Sequence, residues 1–532
     1  MKYYQHTIEG LRNSIPVEAY GYTVSMYSVA LEGWRRGLTL KFINKNRSKA
    51  KTVYSLSDGR KEHVFTVTRG DIVPPEAITI CVNKDMTKKQ LMQNGVPVPA
   101  GIICDETFTD KQIIEAANEI AYPLVVKPVD GTGGKGVISN IRNEDELKSA
   151  INYVKHQLNY KTLLIEEYFE GKDYRLYVIN DKVVAGLEKL PAHVIGDGVR
   201  TIKELLDKKN DERTKSPALR NRPIKIDSET HSLLRRLNYT VDSIPNDGEK
   251  VFLKTKNNIS SGGDSIDVTD ELSERIKEIA VNAANAIPGL AQCGIDMMVN
   301  KEEDKGVVLE INSRPHITAH LFPMSGHARD IPKEIIDFYF PNSEQNLDKP
   351  LYYFDFKSIF NTFSEGLCKE YVVPDVPKGS LVSKRFRVTG VHGSTGYLKR
   401  VQSEAIKLKL NGYVKHLKNG ETSIVVSGKT KSVERFETII NQVNERYSVT
   451  KIVEKRWTKP VQIGFEIKKN STKNRDNKMQ KNRSKEKKSI DMDQSLLIER
   501  DYYREQYLNI INSKAWKITK PLKSIRKILS NK

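Results

Sequence analysis

The chain has 532 residues and a formal net charge of +20, and 38% of its residues are hydrophobic. This length exceeds one ordinary core and predicts about three folded units. Much of the positive charge lies between residues 468 and 488, and no aromatic-rich basic motif of a nucleic-acid module is present, so we expect no nucleic-acid partner.

Four cysteines without paired spacing argue against a disulfide framework or a zinc site. No apolar run reaches the ~18 residues of a membrane span, and the first residues lack the apolar region of a signal peptide, so we expect a cytoplasmic protein.

Residues 1–83 alternate helix-like and strand-like patterns, which predicts a small α/β domain. The predicted elements are a helix at 22–37 and strands at 38–43 and 63–68. A second helix is predicted to begin near Thr87 and to end before the Gly-Val-Pro-Val-Pro run at 95–99. Lys84, just ahead of that helix, is placed to face a phosphate or an adenine; the alternative is a solvated surface lysine.

A short apolar, β-branched run ends in Lys127 and is followed by a glycine-rich loop. The loop contains Gly133, Gly134, Lys135 and Gly136. The backbone N–H groups of glycines are not covered by side chains, and together with a lysine they can bind a polyphosphate. An ordinary hairpin turn has the same composition. The loop has neither the Walker A spacing nor the Gly-x-Gly-x-x-Gly spacing, so it predicts a different kind of phosphate site.

A polar helix is predicted at 143–156 and a strand at 162–169. The strand carries Glu166 and Glu167 near its end, where carboxylates can accept hydrogen bonds from an adenine amine and ribose hydroxyls. An exposed strand edge would show the same pattern. Arg175 follows on the next predicted strand.

Three oxygen-bearing side chains lie on two later strands. Glu310 and Asn312 are two residues apart, so they point to one face, and Asp296 can join them from a neighbouring strand. Hard oxygen ligands on one surface fit Mg²⁺ held between protein and phosphates. A solvated strand is the alternative, but the Glu310 strand is otherwise apolar, which favours the metal site.

The order and spacing of these features resemble the ATP-grasp superfamily. Within that superfamily the chain resembles most the cyanophycin synthetase branch and the ATP-grasp half of bifunctional glutathione synthetases. The resemblance covers roughly residues 84 to 341. Further local matches lie at 194–206, 258–267 and 310–323. The run Asn312-Ser-Arg-Pro-His departs from the family, which more often has small residues and a glycine before the final histidine.

The resemblance implies an α/β ATP-grasp fold and a ligase that uses ATP and Mg²⁺ or Mn²⁺. Such an enzyme forms an amide through an acyl phosphate, here from a small-molecule amino acid and a carboxylate acceptor in surface-polymer or peptide synthesis. The implied phosphate contacts are Lys84, Lys127, Gly133, Gly134, Lys135 and Gly136, and the implied adenine and ribose pocket is Glu166, Glu167, Tyr168, Phe169 and Asp173. The implied metal ligands are Asp296, Glu310 and Asn312, and the implied catalytic residues are Arg175 and Arg314, which would contact the oxyanions of the transferred phosphoryl group or the substrate carboxylate.

A second resemblance covers residues 381–467, which look like an acylphosphatase with its small ferredoxin-like fold. Leu398 stands where that family has its phosphate-binding arginine, and His416 stands where it has its water-orienting asparagine. We therefore expect a binding or regulatory module. Hydrolysis of acyl phosphates by this module is one alternative function, and a non-catalytic nucleotide-binding scaffold is another.

The last part of the chain is basic. Residues 468–490 are predicted to be a disordered linker, and residues 491–532 a helical tail whose sequence resembles the ending of bacterial polysaccharide glycosyltransferases. The tail predicts peripheral contact with the inner membrane face or with a polymer-synthesis complex, and its apolar residues allow a homo-oligomer. The predicted domains are 1–83, 84–342 for the ATP-grasp domain, 343–380 as a connector, 381–467 for the acylphosphatase-like domain, 468–490 and 491–532.

Overall fold

The computed structural model describes residues 8, 10–44, 52–129, 136–259, 262–343, 351–391, 395–442, 447 and 449–468. In these ranges the α-helices are α1 (Thr23–Arg35), α2 (Pro75–Val82), α3 (Lys84–Gln93), α4 (Asp110–Ala117), α5 (Glu144–Ile151), α6 (Ile202–Thr214), α7 (Ser228–Arg236), α8 (Glu274–Asn285), α9 (Thr318–Leu321), α10 (Ile331–Tyr339), α11 (Phe356–Ser364), α12 (Thr395–Lys407) and α13 (Thr430–Gln442).

The strands up to residue 267 are β1 (Thr39–Asn44), β2 (Thr52–Ser57), β3 (Glu62–Thr66), β4 (Arg69–Gly70), β5 (Gly101–Cys104), β6 (Leu124–Pro128), β7 (Ile138–Ile141), β8 (Leu163–Glu167), β9 (Lys172–Ile179), β10 (Lys182–Leu190), β11 (His193–Ile195), β12 (Lys250–Phe252) and β13 (Asp264–Asp267). The later strands are β14 (Gln292–Asn300), β15 (Lys305–Asn312), β16 (Tyr352–Tyr353), β17 (Glu370–Val372), β18 (Leu381–Thr389), β19 (Asn411–His416), β20 (Thr422–Lys429), β21 (Lys451–Arg456), β22 (Val461–Gln462) and β23 (Phe465–Ile467).

The first unit is a five-stranded sheet in the order β17-β1-β2-β3-β4, with α1 packed against it. Tyr27 of α1 and Phe42 of β1 pack on Phe354 with ring centroids 4.9 and 5.8 Å apart, which fills the space between helix and sheet. The helix and both strands predicted for residues 1–83 are present. Strand β17 comes from the segment 343–380, predicted as a connector, so that segment completes the sheet.

The second unit is a four-stranded sheet in the order β5-β8-β6-β7, with α4 and α5 packed on one face. On β6, Leu124 and Val126 are buried in this core. Strand alternation therefore turns Lys127 toward the face away from the helices.

The third unit is a five-stranded sheet in the order β13-β10-β9-β14-β15, with α8 packed on one face. Ile295 and Met297 of β14 are buried in the core that this sheet shares with α8. Asp296 lies between them and consequently points to the opposite face. The second and third units thus each present charged side chains on the face that their helices leave free.

Contacts around α3 join these two sheets. Helix α3 packs on β15 of the third unit and also carries Lys88, which reaches the second sheet. The backbone N–H of Val308 on β15 donates to the carbonyl of Pro97, just before β5, at 2.8 Å. The faces that carry the charged residues are therefore held in a fixed relation.

A small insertion lies between β10 and β13. Strands β11 and β12 with helices α6 and α7 share a core of their own. Helix α6 begins with a capping box in which Thr201 and Glu204 bond to each other's backbone N–H groups. Two buried cations attach the insertion to Asp264 of β13: Lys209 Nζ lies 2.6 Å and Arg213 Nη1 3.3 Å from its carboxylate oxygens.

The last described unit is a five-stranded sheet in the order β21-β18-β20-β19-β23, with α12 and α13 on one face. The strands β21-β18-β20-β19 are antiparallel, and with both helices on one side they form the predicted ferredoxin-like fold; β23 adds to β19 in parallel. Strand β16 pairs in parallel with β22, and the hydroxyls of Tyr352 and Ser427 are hydrogen-bonded at 2.6 Å, which ties this unit to the first one.

Two predicted helices differ from the observed ones. Helix α3 begins at Lys84 and not near Thr87, because Asn83 caps it: its Oδ1 accepts hydrogen bonds from the backbone N–H groups of Asp85 and Met86, both at 3.1 Å. The helix predicted at 143–156 is α5 followed by a π-helical segment over Asn152–Gln157. None of the helices in the described part of the chain has the length and apolar character that crossing a bilayer requires.

Candidate active site

The first charged cluster lies on the four-stranded sheet. Val125 of β6 lies opposite Glu166 of β8, so Lys127, two residues further on, shares the face of Glu166. Lys127 forms an ion pair with Glu166, and Lys88 of α3 places its Nζ 2.9 Å from Glu166 Oε1. The Glu166 side chain is 7% exposed, so two ammonium groups compensate a carboxylate that is largely removed from water. We call Lys88, Lys127 and Glu166 the Glu166 cluster.

Lys88 is absent from the predicted phosphate contacts, which name Lys84 instead. Lys84 is the first residue of α3 and is exposed. Lys88 follows one helical turn later, and its side chain reaches the sheet. Residues four apart on a helix lie on the same side, and Lys88 is the one whose position along α3 brings its ammonium group to Glu166.

The end of β8 is fixed by its backbone. The N–H of Glu167 donates to the carbonyl of Ala100, and the N–H of Tyr168 donates to the carbonyl of Pro123, both at 2.8 Å. The Glu167 side chain is exposed, and Tyr168 and Phe169 are half-buried. Three of the predicted adenine and ribose residues, Glu167, Tyr168 and Phe169, thus follow directly on Glu166, whereas Asp173 lies on β9.

The glycine-rich loop is described only at its end. Gly136 has a φ of 76°, and a Cβ there would lie 3.2 Å from Cδ of Pro128. Glycine is therefore favoured where the loop returns to β6. The other predicted loop contacts, Gly133, Gly134 and Lys135, lie outside the described residues.

The second charged cluster lies on the five-stranded sheet. Arg175 of β9 lies opposite Asp296 of β14, and its Nε and Nη2 donate to the two carboxylate oxygens at 2.9 and 2.6 Å. Lys189 of β10 donates to Asp296 Oδ1 at 3.1 Å and pairs with Asp173 Oδ1 at 2.7 Å. We call these four residues the Asp296 cluster. Lys189 was not predicted, because the pairing of β10 with β9 is set by the fold.

Electrostatics keep Asp296 ionised. Burial by itself raises the pKa of this carboxyl, but the opposing attraction of Arg175 and Lys189 outweighs it, so the pKa is lowered to about 2. The same contact with Asp296 raises the pKa of Arg175. Burial raises the pKa of Asp173, and Lys189 opposes that shift.

The predicted metal ligands share the face of the Asp296 cluster. Glu310 of β15 pairs directly with Asp296, and Asn312 places its Nδ2 3.4 Å from Asp296 Oδ2. Glu310 is exposed. Two carboxylates and one amide supply the hard oxygen donors that Mg²⁺ prefers, so these residues fit a divalent cation. Within the described ranges no three His, Cys, Asp or Glu side chains gather in a metal-binding arrangement.

The loop after β15 carries Arg314 and His316. Arg314 is exposed. The His316 ring packs on Tyr22 of the first unit with centroids 4.8 Å apart, and its Nδ1 lies 3.3 Å from Ser25 Oγ. Burial, followed by the charges of nearby arginines, lowers the pKa of His316 to about 4, so this imidazole is neutral near pH 7.

His320 lies four residues further on, in α9, and is fully buried. Burial lowers its pKa to about 3. Neither ring nitrogen has a hydrogen-bond partner among the described residues, and the ring lies 6.2 Å from the ring of Tyr177. His316 and His320 therefore have separate surroundings and do not form a shared metal site.

Three segments of the chain match known domain families. Residues 81–193 match a RimK-like ATP-grasp domain, residues 237–318 match an ATP-grasp domain, and residues 384–467 match an acylphosphatase. The chain carries an ATP-grasp module followed by an acylphosphatase module. This confirms both resemblances and the predicted fold class.

Similar proteins cover the ATP-grasp module. The cyanophycin synthetase of Synechocystis sp. (strain PCC 6803) is 33% identical over 273 residues, which cover 50% of this chain and 31% of that protein. The glutathione biosynthesis bifunctional protein GshAB of Clostridium perfringens is 31% identical over 328 residues, which cover 60% of this chain and 41% of that protein. The chain thus spans less than half the length of these relatives. A crystal structure of a bifunctional glutathione synthetase from Pasteurella multocida has 27% sequence identity and a TM-score of 0.44, and covers 54% of this chain and 40% of that chain.

The acylphosphatase module carries the two expected departures. Leu398 is 7% exposed and packs in the core between α12 and the sheet. His416 places its Nδ1 2.9 Å from Thr422 Oγ1. Both side chains thus contact other residues of the module. Residues 392–394 of its loop, and residues 469–532 with the basic tail, lie outside the described residues.

Proposed function

We propose that the chain is an ATP- and Mg²⁺-dependent carboxylate–amine ligase, which joins an amino acid to a carboxyl-bearing acceptor through an acyl phosphate. The ATP-grasp matches support this proposal, as do the similar proteins, which are named as a synthetase and as a glutathione biosynthesis protein. The basic tail supports a place in surface-polymer or peptide synthesis.

One observation carries the proposal: the Glu166 cluster has a net positive charge, whereas the Asp296 cluster is balanced and the face becomes net negative once the neighbouring Glu310 is counted. In the Glu166 cluster one carboxylate faces two ammonium groups, so a positive charge is left to attract a phosphate. In the Asp296 cluster two carboxylates face one guanidinium and one ammonium group, and Glu310 adds a further carboxylate. This face therefore attracts a divalent cation.

The residues suited to the cation are Asp296, Glu310 and Asn312. When bound, a divalent cation neutralises charge on nucleotide phosphates and helps to orient them. The ionised state of Asp296 is secured by its two cationic neighbours, so this ligand does not need to lose a proton near neutral pH.

The proposed reaction has two steps. The acceptor carboxylate attacks the γ-phosphorus of ATP, and the bond between this phosphorus and the oxygen that bridges to the β-phosphate breaks. ADP departs, and the acceptor is now an acyl phosphate. An amine then attacks the acyl carbon, phosphate leaves, and the amine nitrogen loses a proton.

The chain contributes positioning and charge neutralisation to these steps. Lys127 and Lys88 stabilise the phosphate oxygens, and Arg175 is placed beside the cation ligands to donate to an oxyanion. The segment from Glu166 to Phe169, with Asp173, forms the proposed adenine and ribose pocket. Lys84 and Arg314, both exposed, would contact ligand from the edge of the site.

The test is a screen for amino-acid-dependent ADP release, in which the full chain receives ATP, Mg²⁺, amino-acid pools and carboxylate acceptors. Lys127→Met and Glu310→Gln are expected to lower the rate by on the order of 100-fold, because each removes charge that acts on the transferred phosphoryl group. Lys89→Met is the matched control, since Lys89 is 68% exposed on α3 and pairs with Asp85. Full turnover by Lys127→Met and Glu310→Gln would show that the site is wrongly assigned.

Two other results would favour the alternatives. ATP binding without turnover in every acceptor pool would favour the scaffold. Hydrolysis of acetyl phosphate without ATP would favour the acylphosphatase activity, which the buried position of Leu398 does not support.

A further inference from the structure

Three arginines from distant parts of the chain meet around the loop after β15. Arg69 of β4 donates from Nη1 to Ser313 Oγ at 3.0 Å, and Arg314 is the next residue of that loop. Arg222, from the insertion, lies with its guanidinium carbon 4.1 Å from the centroid of the Tyr22 ring. That ring packs on His316, so all three arginines border one stretch of four residues.

Arg222 and Arg314 both act on His316, and Arg314 also acts on Arg69. The pKa of His316 is lowered first by burial and then by Arg222 and Arg314. The pKa of Arg69 is lowered by burial and then by Arg314, which shows that these two guanidinium groups repel each other. Holding like charges together is unfavourable unless an anion joins them.

No carboxylate pairs with Arg69, Arg222 or Arg314 among the described residues. Nη2 of Arg222 is also buried without a hydrogen-bond partner in the described part of the chain. Other arginines of the same module are paired: Arg175 binds Asp296, and Arg329 binds Asp267. The three arginines are therefore distinguished by having no carboxylate partner among the described residues, and Arg222 also has a buried donor without a partner there. We call them the arginine triad.

The arginine triad lies beside the proposed reaction centre. Arg314 follows Asn312, a proposed cation ligand, by two residues, and Ser313 between them receives the hydrogen bond from Arg69. An anionic group held here would belong to a substrate whose reacting carboxylate is close to the transferred phosphoryl group. Guanidinium groups match carboxylates in geometry, since both are planar and can form two parallel hydrogen bonds.

We propose that the arginine triad binds carboxylates of the acceptor other than the one that reacts, and hence that the acceptor is a polycarboxylate. This inference rests on the proposed ligase function. An amino-acid nucleophile brings one carboxylate, or two if it is acidic, whereas the triad offers three cationic groups, so we assign the triad to the acceptor. The run Ser313-Arg314-Pro315-His316, where the chain departs from the expected family sequence, is the part of the loop that this site uses.

The first experiment measures binding to the full chain without ATP or metal. Tricarballylate, glutarate and acetate, which carry three, two and one carboxylates, are titrated by calorimetry. Affinity is expected to fall in that order. Arg314→Gln is expected to weaken tricarballylate binding at least about tenfold, because a charge-assisted hydrogen-bond donor is lost. Arg236→Gln is the matched control, since Arg236 is an exposed arginine at the end of α7.

Arg69→Gln and Arg222→Gln are expected to weaken binding by a similar factor. Both side chains are half-buried, so each variant is first checked by its circular dichroism spectrum and melting temperature. Arg314 is exposed, and its variant decides the question if the other two do not fold. Equal binding of tricarballylate and acetate, or unchanged binding by Arg314→Gln, would overturn the proposal. Binding of inorganic phosphate with no binding of tricarballylate would also overturn it.

The second experiment applies once an acceptor supports ADP release. Arg314→Gln and Arg222→Gln are expected to raise the KM for the acceptor at least about tenfold, with kcat changed less than about threefold and the KM for the amino acid unchanged. A rise in the amino-acid KM alone would refute the assignment to the acceptor. If no acceptor supports ADP release, the ligase function fails, whereas the calorimetric series still decides whether the triad binds carboxylates.

Discussion

His320 predicts a loss of stability at mildly acid pH. Its imidazole is fully buried, and its pKa falls from 6.5 to about 3 because burial disfavours the charged form. The unfolded chain therefore binds a proton below pH 6.5 that the folded chain does not bind. A lowered folded-state pKa gives stability that is fully present above the unfolded value and is lost as the pH falls toward the folded value.

The magnitude follows from this shift. Each pH unit below the unfolded pKa costs ~1.4 kcal/mol while His320 stays neutral in the fold. At pH 5.0 the unfolded form is almost completely protonated and the folded form is not, so His320 lowers the free energy of unfolding by ~2 kcal/mol relative to pH 7.5.

The assay compares urea unfolding at pH 5.0 and 7.5 for the wild type, His320→Asn and the control His231→Asn, which changes an exposed histidine of α7. On going from pH 7.5 to pH 5.0, the free energy of unfolding of the wild type and of the control is expected to fall by ~2 kcal/mol more than that of His320→Asn. The reasoning is refuted if His320→Asn shows the same loss as the wild type, or if the His320 imidazole titrates near pH 6.5 in the NMR spectrum of the folded protein.

Three further predictions concern the site and the tail. Lys88→Met is expected to weaken ATP binding about tenfold, as measured by calorimetry, because one of two ammonium groups near the phosphates is lost; Lys89→Met should bind normally. Asp296→Asn is expected to cost ~3–5 kcal/mol of unfolding free energy in urea titrations, because its two cationic partners lose their counter-charge, and an unchanged midpoint would contradict this. Removal of residues 469–532 is expected to abolish sedimentation with phosphatidylserine vesicles at low salt, and equal sedimentation of both forms would rule out the tail as a membrane contact.

The short-range periodicity of the sequence is enough to find much of the candidate site. Strand alternation predicts that Glu310 and Asn312 share one face. The continuous apolar, β-branched run predicts the strand that ends in Lys127. The observed register agrees, since Glu310 pairs with Asp296 across β14 and β15. Alternation is a local property of extended backbone, so it can be read from a few consecutive residues.

Tertiary structure decides which charged residues become partners. Lys88, which the sequence does not single out, lies beside Glu166 because the fold brings α3 next to β8. Lys189 reaches Asp296 only through the pairing of β10 with β9.

The arginine triad shows this limit most clearly. Arg69, Arg222 and Arg314 lie in three separate units, and no spacing in the sequence relates them. Of the three, only Arg314 is among the site residues that the sequence predicts. Packing of the first unit, the insertion and the loop after β15 brings them together, because contacts between distant segments depend on how buried apolar surfaces fit, which local patterns do not encode.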